Sequence, residues 1–282
     1  MSRFDVSGAD AYDRAIGRWS RRLAPEFLDF CAPVAGRVLD VGCGTGTLAR
    51  SLLAREGVTR VVGVDIGAPL LACARTDIAD ARAGFACADA AALPCADASF
   101  DHALMLLVVN FLGDRQASLR EAIRATRAGG TIAAAVWDFR GGFMYSRLAW
   151  DIAAVLDPAA ALQRDRLLQA RFLRPGRLEA LWTASGLVDV RAASLAIDMT
   201  FADFHDYWQP LLGAGQGFSR YYAGLPAAAQ ARTREAVRAA YLVADDDGPR
   251  SYVARAFAVS GRVSDVRPAP SARSQLTSRA GR

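Results

Sequence analysis

The stretch VLDVGCGTG, residues 38–46, decides the fold. Val38–Val41 is a short apolar run of the kind that forms a buried strand. Gly42, Gly44 and Gly46 then make a tight turn, and Thr47–Arg55 reads as a helix opening behind it. Glycine permits positive φ and carries no Cβ to hold a ligand away from the backbone. The helix that follows begins with N–H groups that have no partner within it. Asp40 stands just before the first glycine, so the spacing is DxGxGxG and differs from the GxGxxG of dinucleotide-binding turns.

Outward from this turn, short apolar runs alternate with amphipathic stretches. Arg60–Asp65 (RVVGVD) reads as a second strand, followed by a helix to about Arg75. Gly84–Ala88 reads as a third strand and Phe100–Leu107 as a fourth. Gln116–Arg127 is a helix before the Gly129-Gly130 turn, and Thr131–Trp137 a fifth strand. Strands alternating with helices predict βαβ units and a mostly parallel sheet covered on both faces. After Trp137 the rhythm changes. Residues 140–173 read as helical, Leu178–Ser185 as a helix, Leu187–Thr200 as strands, and about 201–244 as helix-rich. Ser251–Val259 reads as a late edge or antiparallel strand.

The composition fits one large or two small soluble domains. The chain has 282 residues, 52% hydrophobic and 22% charged, enough apolar material for a sizeable core. All 34 basic residues are arginine, and four of them lie in the last twenty residues, so the remainder is nearly balanced in charge. That balance gives no support to a nucleic-acid surface. The longest apolar run, Ala103–Val109, is far too short to span a bilayer, and the first twenty residues show no secretory h-region. Five cysteines without a CxxC pair read as free thiols in a reducing cytoplasm, and two distant histidines argue against a metal site.

The segment around the glycine turn resembles the first motif of class I S-adenosylmethionine-dependent methyltransferases. Later positions agree in order and spacing: Asp65 at the end of the second strand, Asp89 after the third, Phe100-Asp101 opening the fourth, and Arg127–Gly130 before the fifth. The resemblance is strong over about 37–137 and looser to Val259; its small-molecule, quinone C-methylase-like branch fits best. It implies an α/β, Rossmann-like methyltransferase fold, with a mostly parallel twisted sheet, helices on both faces and a helical cap from two insertions. The expected organisation is a helical lid (1–36), the cofactor-binding core (37–139), a first cap insertion (140–173), and a core helix and strand (174–200). A second cap insertion (201–247), a final core strand (248–263) and a disordered tail (264–282) complete it.

The resemblance also implies a cofactor, S-adenosylmethionine, and its site. Asp65 would accept from the ribose hydroxyls and Asp89 from the adenine amino group, with Asp40, Gly42, Gly44 and Gly46 cradling the ligand. Ile66, Ala90 and Leu106 would line it. In such enzymes a leading helix closes over the cofactor, which brings in Tyr12 and Arg18, the latter opposite the methionine carboxylate. The alternative for that helix is plain packing of Trp19 and Leu23 on the core.

Substrate candidates gather where the strands end. They are Trp19, Asn110, Trp137, and Tyr207 and Trp208 in the aromatic-rich second insertion, a stripe that would also serve as core. Asp138, as an orienting group or as a loop cap, and His205, with its near-neutral imidazole, are the candidate catalytic residues. His102, inside the fourth strand, reads as structural. The expected activity is in-line methyl transfer to O, N or C of a small organic acceptor. The competing expectations are an RNA methyltransferase, a cofactor-binding regulatory protein without turnover, and a nicotinamide-dependent oxidoreductase, which the glycine spacing disfavours.

Overall fold

A computed structural model describes residues 17–169, 174–213 and 217–265. Tyr12 and nearly all of the C-terminal tail lie outside them. The first half holds α1 (Arg18–Cys31), β1 (Gly36–Val41), α2 (Thr47–Leu53), β2 (Val58–Asp65), α3 (Ala68–Asp77), β3 (Ala83–Cys87) and β4 (Phe100–Leu106). It continues with α4 (Arg115–Ala125) and β5 (Thr126–Trp137). The second half holds α5 (Met144–Leu156), α6 (Pro158–Leu168), α7 (Arg177–Ala184) and β6 (Val188–Phe201). Helices α8 (Phe204–Gly213), α9 (Phe218–Ala223) and α10 (Ala227–Leu242) lead to β7 (Arg250–Arg262).

The seven strands form one sheet in the order β3-β2-β1-β4-β5-β7-β6. Strands β1 to β5 are mutually parallel where they pair, and β7 runs antiparallel between β5 and β6. Two corrections to the sequence reading follow. Leu187–Thr200 is a single long strand rather than several, and it forms the edge, while Ser251–Val259 is the antiparallel strand, one of the two readings its sequence allowed. The helix before β5 also ends early: pairing with β4 starts at Thr126, and the glycines form an irregularity inside the strand, with Gly129 at φ +73°.

Both faces of the sheet are covered, as continuous apolar strands require. On one face Leu39, Met105, Ile132 and Val136 pack with Leu119 and Ala122 of α4 and with Leu178 and Trp182 of α7. The Trp182 indole donates to the Ile132 carbonyl at 2.9 Å, which satisfies its one polar atom in the core. On the other face, Leu104, Ala133 and Ala135 pack with Leu23 and Phe27 of α1 and with the helices between β5 and β7. Because β6 is antiparallel to β7 and therefore parallel to β5, Phe201 ends at the same sheet edge as Trp137. The carboxyl edge thus carries the glycine turn at its centre and the helical cap beside it.

Candidate functional site

Strand β1 delivers Asp40 to the carboxyl edge as a fully buried carboxyl, 1% exposed. Burial first, and then the nearby charge of Asp65, raises its pKa to about 8, against a pull downward from the Ala49 N–H. One of its oxygens, Oδ2, is buried with no hydrogen-bond partner among the described residues. A buried, unpaired acceptor is costly unless something donates to it. The group that would suit it is a cation or an N–H donor.

The turn itself is open where a ligand would approach. Gly42 sits at φ +74°, and a Cβ there would meet the Val108 side chain at 2.2 Å. Gly44 sits at φ +54°, and no atom of the described residues lies within 4 Å of where a Cβ would be. A narrow cleft on this side is lined by Asp40, Gly42, Gly44, Thr45 and Thr47, with Ser20 from α1 and Leu106 and Leu107 from the end of β4. Leu107 adopts φ +62°, a left-handed conformation that non-glycine residues rarely hold, and such strain concentrates at functional sites.

Asp65 closes β2 beside this turn. Its Oδ2 accepts the Gly44 N–H at 2.9 Å and its Oδ1 the Gly67 N–H at 2.7 Å. Each carboxylate oxygen has capacity for a second donor, so the side chain is oriented by the backbone and still able to accept. On its far side a second cleft of about 490 Å³ runs past Asp65, Ile66, Asp89 and Ala90 to Phe111 and Leu112. Ile66 is 52% exposed, an apolar surface presented at the cleft. Asp89 accepts the Ala91 N–H at 2.9 Å, and Gly42 borders both clefts.

The structure thus brings Asp40, Gly42, Gly44, Asp65, Ile66, Asp89, Ala90 and Leu106 to two adjoining clefts; Gly46 starts α2 just behind them. Ser20, Leu107, Val108 and Phe111 also line them and were not among the residues singled out from sequence. Ser20 had a readable signal: it is the polar member of the buried stripe of α1, in line with Leu23, Ala24, Phe27, Leu28 and Cys31.

The other candidates are placed elsewhere. Arg18 pairs with Asp206 of α8 at 2.8 Å, and its guanidinium lies 4.2 Å from the Trp19 ring centroid and 4.8 Å from that of Phe201. It ties α1 to the cap rather than reaching the glycine turn. Trp19, Trp137, Tyr207 and Trp208 are all buried in the core. Their expected role of lining an open acceptor site is corrected to packing. Trp19 meets Phe201 edge-on at 5.2 Å, and the Tyr207 hydroxyl donates to the Tyr145 carbonyl at 2.9 Å. The stripe had the spacing of a core helix face, and it is one.

Asp138 is buried and bound on all sides. It accepts from Arg255 Nε at 3.0 Å and Nη2 at 2.5 Å, and from the N–H groups of Arg140 and Gly141 at 3.1 Å each. That set makes it a loop cap, not a base. His205 is exposed, next to but outside the buried stripe of Phe204, Tyr207, Trp208 and Leu211. Asn110 is half-buried in the short 3₁₀ turn Val109–Phe111, where its carbonyl accepts from Arg115 at 3.0 Å. Cys43, between the glycines, is buried, and burial with the charges of Asp40 and Asp65 raises its pKa, so the thiol stays protonated.

Strand order, glycine turn and the acidic residue ending β2 together define the class I methyltransferase fold. Residues 39–134 match a family model described as a methyltransferase domain. The chain is similar to a demethylmenaquinone methyltransferase of Roseiflexus sp. (strain RS-1), 39% identical over 101 residues, 36% of this chain and 42% of that one. It is also similar to the methyltransferase GfsG of Streptomyces halstedii, 36% identical over 141 residues and 49% of each chain. The chain thus spans less than half the length of both relatives. Among solved structures it resembles phosphoethanolamine N-methyltransferase 2 of Haemonchus contortus in complex with S-adenosyl-L-methionine. That match has a TM-score of 0.56 at 18% identity and covers 91% of this chain and 56% of that one, a likeness of fold.

Proposed function

We propose that the protein is an S-adenosylmethionine-dependent methyltransferase acting on a small organic acceptor. The observation that carries this reading is the pairing of the unpartnered Asp40 oxygen with the open Gly44 backbone at one end of the turn and Asp65 at the other. A ligand with a cationic amino-acid end and a ribose fits that sequence of groups. Asp40 would meet the ammonium side, Gly42 and Gly44 would allow close approach, and Asp65 would accept from the ribose. Ile66, Asp89, Ala90 and Phe111 would enclose the base. When bound, the sulfonium supplies an already activated methyl group. The protein's task is to orient the acceptor and exclude water, and orientation alone supplies about 7–11 kcal/mol in favourable cases.

Two relatives named for small-molecule substrates, a demethylmenaquinone methyltransferase and a malonyl-[acyl-carrier protein] O-methyltransferase, support a small or tethered acceptor over nucleic acid. Among the described residues no helix is long and apolar enough to cross a membrane, and the five cysteines are unpaired; a cytoplasmic setting suits those thiols.

The test is calorimetric titration of the whole chain with S-adenosylhomocysteine and, separately, with NADH. Micromolar binding of the first alone supports the reading, and a subsequent screen of phenols, quinols and carboxylic acids with a labelled methyl donor would identify the acceptor. Binding of NADH in preference would replace it.

A further inference from the structure

A cleft of about 570 Å³ opens at the opposite, amino edge of the sheet, within the volume range of small-ligand sites. The starts of β1, β4, β5 and β6, the end of β7 and the end of α1 all reach it, through Gly36, His102, Thr131, Asp189, Arg262 and Cys31. The methyl-transfer reading uses none of these residues. We propose that this cleft binds the oxyanion of a small ligand, a phosphate or a carboxylate group.

His102 supplies the first argument. It lies in β4, flanked by Val38 of β1 and Thr131 of β5. The Ala35 N–H donates to its Nε2 at 3.4 Å, so Nε2 is the acceptor nitrogen and a neutral ring carries its proton on Nδ1. Burial lowers the pKa of this imidazole, which keeps the ring neutral. Nδ1 itself is buried and has no hydrogen-bond partner among the described residues. The ring therefore holds an N–H donor that none of the described residues accepts.

Charge supplies the second. Three arginines line the cleft, Arg127, Arg191 and Arg262, against two carboxylates, Asp101 and Asp189. The carboxylates are already matched: Arg127 donates to Asp101 at 2.6 Å, and Arg262 pairs with Asp189. With the Arg37 N–H also donating to it, Asp101 is held below the ordinary carboxylate range and stays ionised. Among the described residues Arg191 has no carboxylate partner; it donates to the Phe30 carbonyl at 2.6 Å and lies over the Phe30 ring. The cleft thus retains one positive charge and a guanidinium with N–H groups to spare, beside a buried imidazole donor. An oxyanion in the cleft would form a charged hydrogen bond with the guanidinium, the strong kind, and would offer the neutral imidazole N–H an acceptor.

The experiment is NMR of the two histidine side chains in the full-length protein, His205→Gln assigning the signals. Inorganic phosphate and succinate are titrated separately at constant ionic strength, with and without saturating S-adenosylhomocysteine. The expected result is a His102 ring protonated on Nδ1, shifting saturably with at least one of the two anions, irrespective of S-adenosylhomocysteine. Response to phosphate alone or to succinate alone distinguishes the two ligand types. The double variant Arg191→Gln/Arg262→Gln, at exposed positions, should weaken that response about tenfold or more while keeping the native melting profile. A ring protonated on Nε2, a response that never saturates, or one unchanged in the double variant would overturn the proposal.

Discussion

The glycine turn and the aromatic cap finish the same edge of the sheet in opposite ways. At the turn the side chains are short or absent, backbone N–H groups and carboxyls face two clefts, and the unpartnered atom, Asp40 Oδ2, is an acceptor. In the cap, rings lie against rings: Tyr145 stacks on Phe201 at 5.1 Å, and Phe201 meets Trp19 and Tyr207 edge-on. The charges that enter the cap, Arg18 and Asp206, neutralise each other. Its unpartnered groups among the described residues, Arg18 Nε, Tyr145 Oη and the indole N–H groups of Trp19 and Trp137, can all donate. A region shaped for a ligand keeps polarity facing open space, whereas a region shaped for packing satisfies most of its groups internally. The contrast separates binding effects from stability effects, and mutations can test it.

The largest effect should fall in the cap. Phe201 is fully buried at the meeting point of α1, α5 and α8, so Phe201→Ala should cost about 3–5 kcal/mol of stability in denaturant unfolding. Its folded fraction should bind S-adenosylhomocysteine as the native protein does. A variant that melts normally but loses the ligand would put Phe201 in the site and break the contrast.

Asp65→Ala should show the reverse. Loss of a charged hydrogen-bond acceptor is worth about 1.5–3 kcal/mol, so affinity for S-adenosylhomocysteine should fall roughly tenfold to a hundredfold with the fold retained. Unchanged affinity would remove Asp65 as the ribose partner. The smallest effect belongs to Arg18→Gln. The pair with Asp206 is about one-third exposed, so solvent screening limits its contribution to at most about 1 kcal/mol, seen as a slight loss in melting temperature. A large drop in ligand affinity would instead bring Arg18 to the cofactor.

The turn was legible in sequence because its chemistry is local. Within nine residues, 38–46, an acidic side chain, three glycines and a helix start follow one another, and Asp65 ends the next strand. The cap was harder because partners there are far apart in the chain. Arg18 and Asp206 are separated by 188 residues, and Asp138 meets Arg255 across 117. A carboxylate at a strand end reads as a catalytic group until the arginine that holds it is located. The edge position of β6 was likewise hidden, since it depends on β7 returning between β5 and β6 after three helices. Ser20 shows the intermediate case: helical periodicity exposes it as a polar residue in an apolar stripe, once that periodicity is followed.

Asp40 joins the fold to the proposed chemistry. Its folded pKa near 8 lies above the ordinary carboxyl value of 3.8, so the stability it allows is fully present in acid and lost as pH rises through about 8. A bound ammonium would favour the ionised carboxylate, so binding should release a proton below that pH. The most direct measurement is calorimetric titration with S-adenosylhomocysteine across this pH range, on the native protein and on Asp40→Asn. The account predicts tightening affinity and proton release as pH rises toward about 8 in the native protein, and a weaker, pH-independent affinity in the variant. Identical pH profiles for the two proteins, or no binding at any pH, would contradict it.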